Sequence, residues 1–315
     1  MLDEVDSEVL LAASNYGPLT LSELSRLLGW SKSMVLKRVR RLAELGLVTL
    51  KEEGGVTIIV PGSPRARAPG IVGIMRASEY PYIMPLVKLL AERYGSIKVK
   101  VYDDAVQEVM DLVAGKIQLA MAPAVTLLSF SRLTNGMIHI IGGGSKGGAS
   151  IISGRGEGEG HATSRMSSME LCAETYGLEP PRVYERGGMN IVNDVSSGRV
   201  KEGVVWEPYA SIAKRMGLRV ELCDLETCCL LGASSSLSDE YERISKLMES
   251  AVSEARRVDL QAYANLIGMP YELVEESVRS YDFLERPDKG LLKRIASQMR
   301  SVVLPTWSID EAVRD

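Results

Sequence analysis

A ten-residue segment at 61–70, PGSPRARAPG, divides this sequence into two stretches with different patterns. The segment holds three prolines, two glycines and two arginines without an apolar repeat, which predicts an extended, semi-rigid linker. Helical periodicity dominates before it, and strands alternate with helices after it. A chain of 315 residues also exceeds the roughly 100 to 200 residues of a usual single core. We therefore predict one domain over residues 1–60 and a second over residues 71–315.

The composition, with 45% hydrophobic and 25% charged residues and a net charge of -4, is typical of a globular protein and excludes disordered and collagen-like chains. The longest apolar run, Leu119–Phe130, is interrupted by Pro123 and is shorter than the roughly 18 to 20 residues of a membrane span. The start of the chain, MLDEVDSEVL, is acidic where an export signal is basic. Only four cysteines are present, which suits a reducing compartment. The expected location is the cytoplasm, without membrane contact.

Residues 1–60 are predicted to form three helices followed by a hairpin. The first helix covers Val5–Ala13 and is stopped by a Gly-Pro pair. Thr20 stands three residues before Glu23, which is the spacing of a capping box, so a short second helix is expected over Leu21–Leu28. The hairpin covers Val48–Val60 and turns at a Gly-Gly pair.

The third helix follows Ser31, its expected N-cap, and ends at Gly46. At 100° per residue, its apolar side chains share one arc and are predicted to be buried: Val35, Leu36, Val39, Leu42 and Ala43. The opposite arc is mostly basic and holds Ser33, Lys37, Arg40, Arg41 and Glu44, with Arg38 at its edge. Between Glu23 and Glu44 the chain has six basic residues and no acid. A basic helix face on an acidic protein suits a focused contact with DNA phosphates.

The run LTLSELSRLLGWSKSMVLKRVRRLAELGLVTLKEEGGVTIIV resembles the winged helix-turn-helix of MarR-, IclR- and ArsR-like regulators. The resemblance implies that the third helix enters the major groove of double-stranded DNA while the hairpin, as a wing, reaches the neighbouring backbone. The residues expected to contact DNA are Ser31, Lys32, Ser33, Lys37, Arg38, Arg40, Arg41 and Lys51. The alternative is a basic face that is only solvated.

From Ile71 onward, strands alternate with helices in two rounds, which predicts an α/β domain with mainly parallel sheets. A Gly-rich crossover at 142–160, interpreted as a mobile loop, separates the rounds. Each round contains a helix end, a glycine, a basic residue and the next strand, at residues 111–117 and again at residues 194–200. This repeat predicts two similar lobes. From Ser238 the chain is mainly helical and is expected to complete the first lobe.

Two motifs, AGKIQLAMAP at 114–123 and GVVWEPYAS at 203–211, resemble the type II solute-binding fold of the nitrate, sulfonate and taurine group and of the thiamine-pyrimidine proteins. The resemblance implies one lobe of about residues 71–142 and 230–315 and another of about residues 143–229, with a small ligand in the cleft between them. Matched by position, the expected ligand-binding residues are Arg76, Ser78, Glu79, Tyr80, Ala122, Thr126, Thr163, Ser164, Gly188, Asn190, Trp206, Glu207 and Tyr209. Their chemistry suits an oxyanion or a small polar heterocycle.

Other chemistry has less support. The glycine run lacks the Gly-Lys-Ser/Thr of a Walker loop, and of the two histidines, His139 is predicted to be a core residue. Cys223, Cys228 and Cys229 offer thiolates that a metal could use. However, Cys228 and Cys229 are interpreted as part of a buried strand, in which adjacent side chains point to opposite faces. Neither a metal nor a cofactor is therefore expected.

The predicted function is that of a ligand-responsive, one-component transcription regulator that acts as a homodimer. A small metabolite would close the cleft and change the placement of two DNA-reading heads. Most solute-binding proteins of the resembled group are exported to serve a transporter, whereas this chain carries a helix-turn-helix. Two alternatives stay open. One is a cytosolic enzyme of thiamine-pyrimidine or menaquinone-type synthesis, which the scarcity of histidines disfavours, and the other is a scaffold whose helix-turn-helix binds protein.

Overall fold

The structure, a computed structural model, describes residues 4–16, 18–44, 47–53, 56–61, 68–178, 183–226, 228–298 and 307–314. It divides into two compact units, Met1–Arg67 and Ala68–Asp315. Most of the predicted linker, residues 62–67, and the predicted helix end at Gly46 lie outside the described residues. Over the described ranges, no helix combines the length and the apolar character that crossing a bilayer requires.

The first unit contains the predicted three helices and hairpin and one short additional strand. Its described elements are α1 (Glu4–Tyr16), β1 (Leu19–Thr20), α2 (Leu21–Leu28), α3 (Lys32–Glu44), β2 (Val48–Glu53) and β3 (Val56–Pro61). β3 pairs antiparallel with both β1 and β2. The capping box is confirmed, because the Glu23 amide donates to Thr20 Oγ1 at 3.2 Å and the Thr20 amide donates to Glu23 Oε2 at 2.8 Å. Ser31 Oγ accepts from the Met34 amide at 3.4 Å, as expected of the N-cap of α3.

An apolar core joins the helices of the first unit to its sheet. The buried residues of this core are Val9, Ala12, Ala13, Leu24, Val35, Val39, Leu42, Val48 and Ile59. The predicted buried face of α3 is confirmed for Val35, Val39 and Leu42, whereas Leu36 and Ala43 are only half-buried. This packing turns the opposite, basic face of α3 outward.

The second unit alternates strands and helices, as the sequence predicts. In chain order its described elements are β4 (Ile71–Met75), α4 (Ile83–Tyr94), β5 (Lys98–Tyr102), α5 (Ala105–Val113), β6 (Leu119–Pro123), α6 (Ala124–Leu133), β7 (Ile138–Gly147), β8 (Ala149–Ser153), β9 (His161–Thr163), α7 (Ser168–Thr175), β10 (Val183–Tyr184), α8 (Gly188–Ser196), β11 (Glu202–Trp206), α9 (Tyr209–Arg215), β12 (Arg219–Cys223), β13 (Cys229–Ser234), α10 (Tyr241–Ser253), α11 (Leu260–Ile267), α12 (Tyr271–Ser277), β14 (Tyr281–Leu284), α13 (Lys289–Gln298) and α14 (Trp307–Ala312).

Two mixed sheets organise this unit. Of the described strands, six form a sheet in the order β14-β7-β13-β6-β4-β5, and five form a sheet in the order β10-β9-β11-β8-β12. β4 is parallel to β5 and β6, and β9 is parallel to β10 and β11. The other strand pairs are antiparallel. We call the part built on the six-stranded sheet the first lobe and the part built on the five-stranded sheet the second lobe.

The repeated sequence signature forms the same structure in both lobes. The Lys116 amide donates to the Asp111 carbonyl after α5, and the Arg199 amide donates to the Asp194 carbonyl after α8. The basic side chain then returns to the same aspartate, at 3.0 Å from Lys116 Nζ to Asp111 Oδ1 and 3.0 Å from Arg199 Nη1 to Asp194 Oδ1. Each aspartate therefore ties a helix end to the residues that lead into the next strand.

The glycine run differs from the mobile loop predicted for residues 142–160. Residues 142–144 lie in the buried middle of β7, and β8 follows β7 almost directly, so that irregular structure is confined to residues 154–160. A Cβ atom at Gly144 would lie 2.0 Å from the carbonyl oxygen of Cys229. Glycine is required there because the neighbouring backbone approaches too closely for any side chain.

Two of the four cysteines form a disulfide, contrary to the expectation of a fully reduced chain. Cys172 on α7 is bonded to Cys223 at the end of β12, with Cα atoms 6.2 Å apart. Both residues are fully buried, so the bond lies inside the second lobe. A cysteine count cannot reveal this pairing, because it depends on the spatial approach of residues 51 positions apart.

Candidate functional site

The candidate DNA-binding surface is the outer face of α3 together with Lys51 of β2. The predicted contact residues that are exposed are Ser31, Lys32, Ser33, Lys37, Arg40, Arg41 and Lys51, and Arg38 is half-buried. Lys51 lies opposite Ile58 in the β2–β3 pair. Both the helix and the hairpin therefore expose basic side chains. In this arrangement the helix can enter a DNA groove while the hairpin reaches the phosphates beside it.

Two cations of α3 bind an acid from a distant part of the sequence. Asp6 on α1 is fully buried, and its two carboxylate oxygens each lie 3.1 Å from an arginine Nη1, one of Arg38 and one of Arg41. The basic run contains no acid of its own, but the fold brings Asp6 of α1 to two of its arginines. These ion pairs hold α3 against α1, so Lys37 and Arg40 are left as the central cations of the outer face.

We expect Asp6→Asn to loosen the packing of α3 on α1. A buried hydrogen bond to a charged group contributes about 1.5 to 3 kcal/mol, and the partial exposure of both arginines reduces this to about 1 to 2 kcal/mol. Hydrogen-exchange protection of peptides from α1 and α3 should fall by about 5- to 30-fold. Glu8→Gln, which neutralises an exposed acid on the same helix, is the matched control. Equal protection in both variants would show that the Asp6 ion pairs do not hold the helix.

The lobes of the second unit touch through residues predicted to bind the ligand. Hydrogen bonds cross the cleft from the Ser78 amide to the Glu207 carbonyl (3.1 Å), from Trp206 Nε1 to the Arg76 carbonyl (3.0 Å) and from the Thr126 hydroxyl to the Met166 carbonyl (2.5 Å). Two of these bonds join predicted residues to each other, and the third joins the predicted Thr126 to Met166. A ligand that enters the cleft has to compete with these contacts.

A cavity of about 30 Å³ lies between the lobes. It is lined by four of the predicted residues, Glu79, Tyr80, Ser164 and Trp206. Space of this size holds about two water molecules, so a metabolite enters only when the lobes move apart. Further polar residues line the cavity that were not predicted from the sequence as ligand-binding residues, namely Asp103, Ser167, Ser168, Cys228 and Cys229.

The other predicted ligand residues lie in the surrounding fold and do not line this cavity. Arg76 pairs with Asp103 at 2.7 Å, Ser78 Oγ contacts Ser277 Oγ at 2.6 Å, and Ala122 pairs with Leu230 in the sheet. Thr163 is buried in β9, and Gly188 lies against the ring of Tyr209. Asn190 donates to the Arg186 carbonyl at 2.7 Å, and Glu207 Oε2 accepts from the Ser211 amide at 3.1 Å. Tyr209 also meets Trp206 edge to face, with ring centroids 5.2 Å apart. Of these residues, Tyr209 thus contacts a residue of the cavity lining.

The cavity lining carries the carboxyl groups of Glu79 and Asp103 and no basic side chain among its described residues. Burial raises the pKa of Glu79, although hydrogen bonds from Ser145 and both cysteines oppose the shift. Among the described residues that line the cavity, none is Lys, Arg or His. The nearby Arg76 is engaged by Asp103 and by the Ile267 carbonyl. A cation or a neutral molecule is therefore better suited to this cavity than an anion.

The cysteine pair departs from the predicted strand geometry. Cys228 precedes β13, which begins at Cys229, so the alternation of strand side chains does not apply to the pair. Their sulfur atoms lie 3.2 Å apart on the same side. Cys228 Sγ also lies 3.7 Å from Glu79 Oε2, and the Tyr80 hydroxyl donates to Cys229 Sγ at 3.0 Å. The two thiols and the carboxyl group therefore form one cluster on the cavity wall.

The histidines lie away from the cavity lining. His139 is half-buried, and its Nδ1 is 3.1 Å from the Tyr241 hydroxyl. Burial lowers the pKa of His139 to about 4, which agrees with its predicted role as a core residue. His161 is buried in β9 and not in a mobile loop.

A comparison with family models shows what the first unit is similar to. A family model described as winged helix-turn-helix DNA-binding matches residues 2–49. A search of the curated proteins finds no match. The first unit is thus a winged helix-turn-helix, as the sequence predicts.

Solved structures resemble the chain over 78% of its length. One is the alkanesulfonate-binding protein SsuA from Xanthomonas axonopodis pv. citri bound to MOPS, with 16% identity, a TM-score of 0.62 and 97% of that chain covered. Another is the periplasmic aliphatic sulphonate binding protein SsuA from Escherichia coli, with 16% identity, a TM-score of 0.60 and 92% covered. A third is the ligand binding component of an ABC-type import system from Staphylococcus aureus with zinc bound, with 14% identity, a TM-score of 0.61 and 96% covered. At these identities the similarity shows the fold, which is that of periplasmic binding proteins.

Proposed function

We propose that this chain, which joins a winged helix-turn-helix to a periplasmic-binding-protein-like fold, is a ligand-responsive transcription regulator of the cytoplasm and not an enzyme. The observation that carries the proposal is the outward basic face of α3 in a chain that also holds a two-lobed unit with an internal cavity. One chain with both parts can convert ligand binding into a change of DNA affinity, provided that the ligand favours one of two states.

On the DNA side, α3 is proposed to lie in the major groove. Lys37 and Arg40 project from its outer face and would contact bases or phosphates. Lys32 and Ser33 lie in its first turn, where amides and the helix dipole favour a phosphate. Lys51 would contact the backbone from the wing. Arg38 and Arg41 are proposed to contribute less to DNA binding, because both already bind Asp6. Ser31 is also proposed to contribute less, because its hydroxyl caps α3.

On the ligand side, the cavity favours a small polar heterocycle over an oxyanion. An oxyanion gains most from a free arginine or lysine, but Arg76 is paired with Asp103, and the Glu79 carboxyl group also lines the cavity. A neutral or weakly basic ring can instead stack on Trp206 or Tyr80 and bond to the serine hydroxyls of the wall. We therefore propose a ligand class that differs from the sulfonates named for two of the structural neighbours.

The coupling is proposed to run through cleft closure in a homodimer. The interlobe hydrogen bonds made by Ser78, Trp206 and Thr126 are made only while the lobes touch. A ligand that holds the lobes further apart, or that adds contacts to the closed form, shifts the balance between the two states. In a dimer, that shift would alter the spacing of two recognition helices, and half-site spacing is what a dimeric reader senses.

The ligand proposal is tested by thermal shift and native mass spectrometry of the full chain. The probes are the pyrimidine precursor of thiamine as the heterocycle, and taurine, MOPS and sulfate as the anions. Saturating heterocycle should raise the melting temperature by several degrees, since occupancy at 100 times Kd adds about 2.7 kcal/mol. Trp206→Ala should abolish the shift, and Leu133→Ala, an exposed apolar truncation outside the cavity lining, should preserve it. A shift with the anions alone would overturn the choice of ligand class.

A further inference from the structure

The cluster on the cavity wall is made of soft and hard metal-ligand atoms from two separate segments. Cys228 Sγ and Cys229 Sγ are 3.2 Å apart, and Cys228 Sγ is 3.7 Å from Glu79 Oε2. One ligand atom from each of the three residues can be chosen so that all lie within 4.8 Å of one another. The three residues are 2%, 4% and 2% exposed for Glu79, Cys228 and Cys229 respectively. The fold, not the local sequence, brings the carboxyl group to the thiols.

The spacing of these atoms is close to that of a tetrahedral zinc site. With Zn–S near 2.3 Å and Zn–O near 2.1 Å, tetrahedral ligand atoms are separated by about 3.6 to 3.8 Å. The observed separation from Cys228 Sγ to Glu79 Oε2 falls within this range, and the separation of the two sulfurs is shorter by about 0.6 Å. The two sulfurs would therefore have to move apart by that amount, through rotation about the Cα–Cβ bonds, to take a tetrahedral arrangement.

The ligand atoms are held by neighbours of the kind that orient metal ligands. The Ser145 hydroxyl donates to Glu79 Oε1, which leaves Oε2 directed toward the sulfurs. The Tyr80 hydroxyl donates to Cys229 Sγ at 3.0 Å. Such outer hydrogen bonds fix ligand orientation and commonly change metal affinity by about 10- to 100-fold. The cluster therefore has the built surroundings of a site and is not a chance contact of three side chains.

The local charge also favours a divalent cation. No Lys, Arg or His stands among the described residues lining the cavity, so no positive side chain of that lining opposes an ion beside the thiols. Two thiolates and a carboxylate would carry three negative charges, which a buried cluster can bear only with a cation among them. Thiolate ligands select zinc or copper(I) over magnesium or calcium, and the carboxylate favours zinc of these two.

We propose that Cys228, Cys229 and Glu79 bind one zinc ion. All three residues line the cavity, so the fourth coordination position would face it and take either water or a donor atom of a cleft ligand. A zinc ion held by three protein ligands can exchange the ligand in its fourth position. The zinc proposal is independent of the proposed function, because the three residues would bind the ion whether or not the chain regulates transcription.

The test is zinc binding by the reduced, metal-free full chain under anaerobic conditions, measured by competition with a chromophoric chelator and by elemental analysis. The wild type should bind one zinc ion per chain. Cys228→Ser/Cys229→Ser should weaken binding by more than 100-fold, and Glu79→Gln and Ser145→Ala by about 10-fold each. The matched control is Cys172→Ser/Cys223→Ser, which removes the other two cysteines and should retain the ion.

A spectroscopic readout keeps the proposal testable if a variant fails to fold. Cobalt(II) added to the wild-type chain should produce the near-ultraviolet charge-transfer absorption of thiolate coordination, and zinc should displace it. Absence of both zinc retention and this absorption in the wild type would overturn the proposal. It would equally be overturned if the Cys172→Ser/Cys223→Ser control lost the ion or if the Cys228→Ser/Cys229→Ser variant kept it.

Discussion

Replacement of both Lys37 and Arg40 by alanine is expected to weaken binding of duplex DNA by about 100-fold or more. Each side chain projects from the outer face of α3 and lies outside the buried core of the first unit. A lost base or phosphate contact costs about 1 to 3 kcal/mol, so the loss of two contacts costs about 2 to 6 kcal/mol if their effects add. Loss of two phosphate contacts should also flatten the slope of log affinity against log salt by about 2.

The measurement is fluorescence anisotropy at several salt concentrations, on duplexes that the wild-type chain selects from a random pool. The matched control is Lys246→Ala/Arg257→Ala, which removes the same charge from exposed positions of the second unit. The control separates a general charge effect from loss of the recognition helix, because it lowers the net charge equally. Equal affinities for the Lys37→Ala/Arg40→Ala variant and the wild type would remove α3 from the DNA interface.

Gly144→Ala is expected to destabilise the second unit by about 3 kcal/mol or more. The added methyl group would lie 2.0 Å from the carbonyl oxygen of Cys229, 2.9 Å from its carbonyl carbon and 3.1 Å from the Cα atom of Leu230. All three are backbone atoms, so no side-chain rotation relieves the collision, and β7 must separate from β13. The same shift would displace Cys229 from the cavity wall.

Thermal unfolding of the full chain, followed by near-ultraviolet circular dichroism, measures this loss. Gly70→Ala is the matched control, because its nearest contact would be Gln118 Oε1 at an ordinary 3.5 Å, and it should change stability by less than about 0.5 kcal/mol. If the two variants melted alike, the strand contact at Gly144 would not be as close as the structure has it.

The winged helix-turn-helix could be predicted from the sequence because its determinants are local. The capping box of Thr20 and Glu23 lies within four residues, and the buried face of α3 follows from helical periodicity. The ion pairs of Asp6 could not be predicted in the same way, because Arg38 stands 32 positions away. The charges along the sequence therefore predict a basic outer face of α3. They do not show that Asp6 pairs with two of its arginines, Arg38 and Arg41.

The second unit shows the same division between local and long-range determinants. The repeated Asp-Gly-basic signature was recognisable and forms equivalent helix ends in both lobes. The glycines at residues 142–144 favour a loop when the sequence is considered alone, whereas in the fold they permit the close approach of two buried strands. The clustering of Glu79 with Cys228 depends on a contact across 149 positions, which no local pattern encodes.

The two parts of the molecule suggest how a signal would arise. The cleft is held shut by hydrogen bonds between residues that also line or border the cavity, such as Trp206 and Arg76. Ligand entry and lobe contact therefore use the same groups, which makes them mutually dependent. Such a dependence is what the proposed regulatory role of the second unit requires.

The central claim is most directly tested by the DNA affinity of the full chain with and without the cleft ligand. The measurement uses one selected duplex at fixed salt, with the compound that stabilises the chain in the thermal-shift panel held at saturation. Coupling between two sites is usually about 1 to 3 kcal/mol, so we predict a change of about 5- to 150-fold in DNA affinity, and no such change in Trp206→Ala. An affinity that stays constant within about twofold while the cleft is fully occupied would contradict the account.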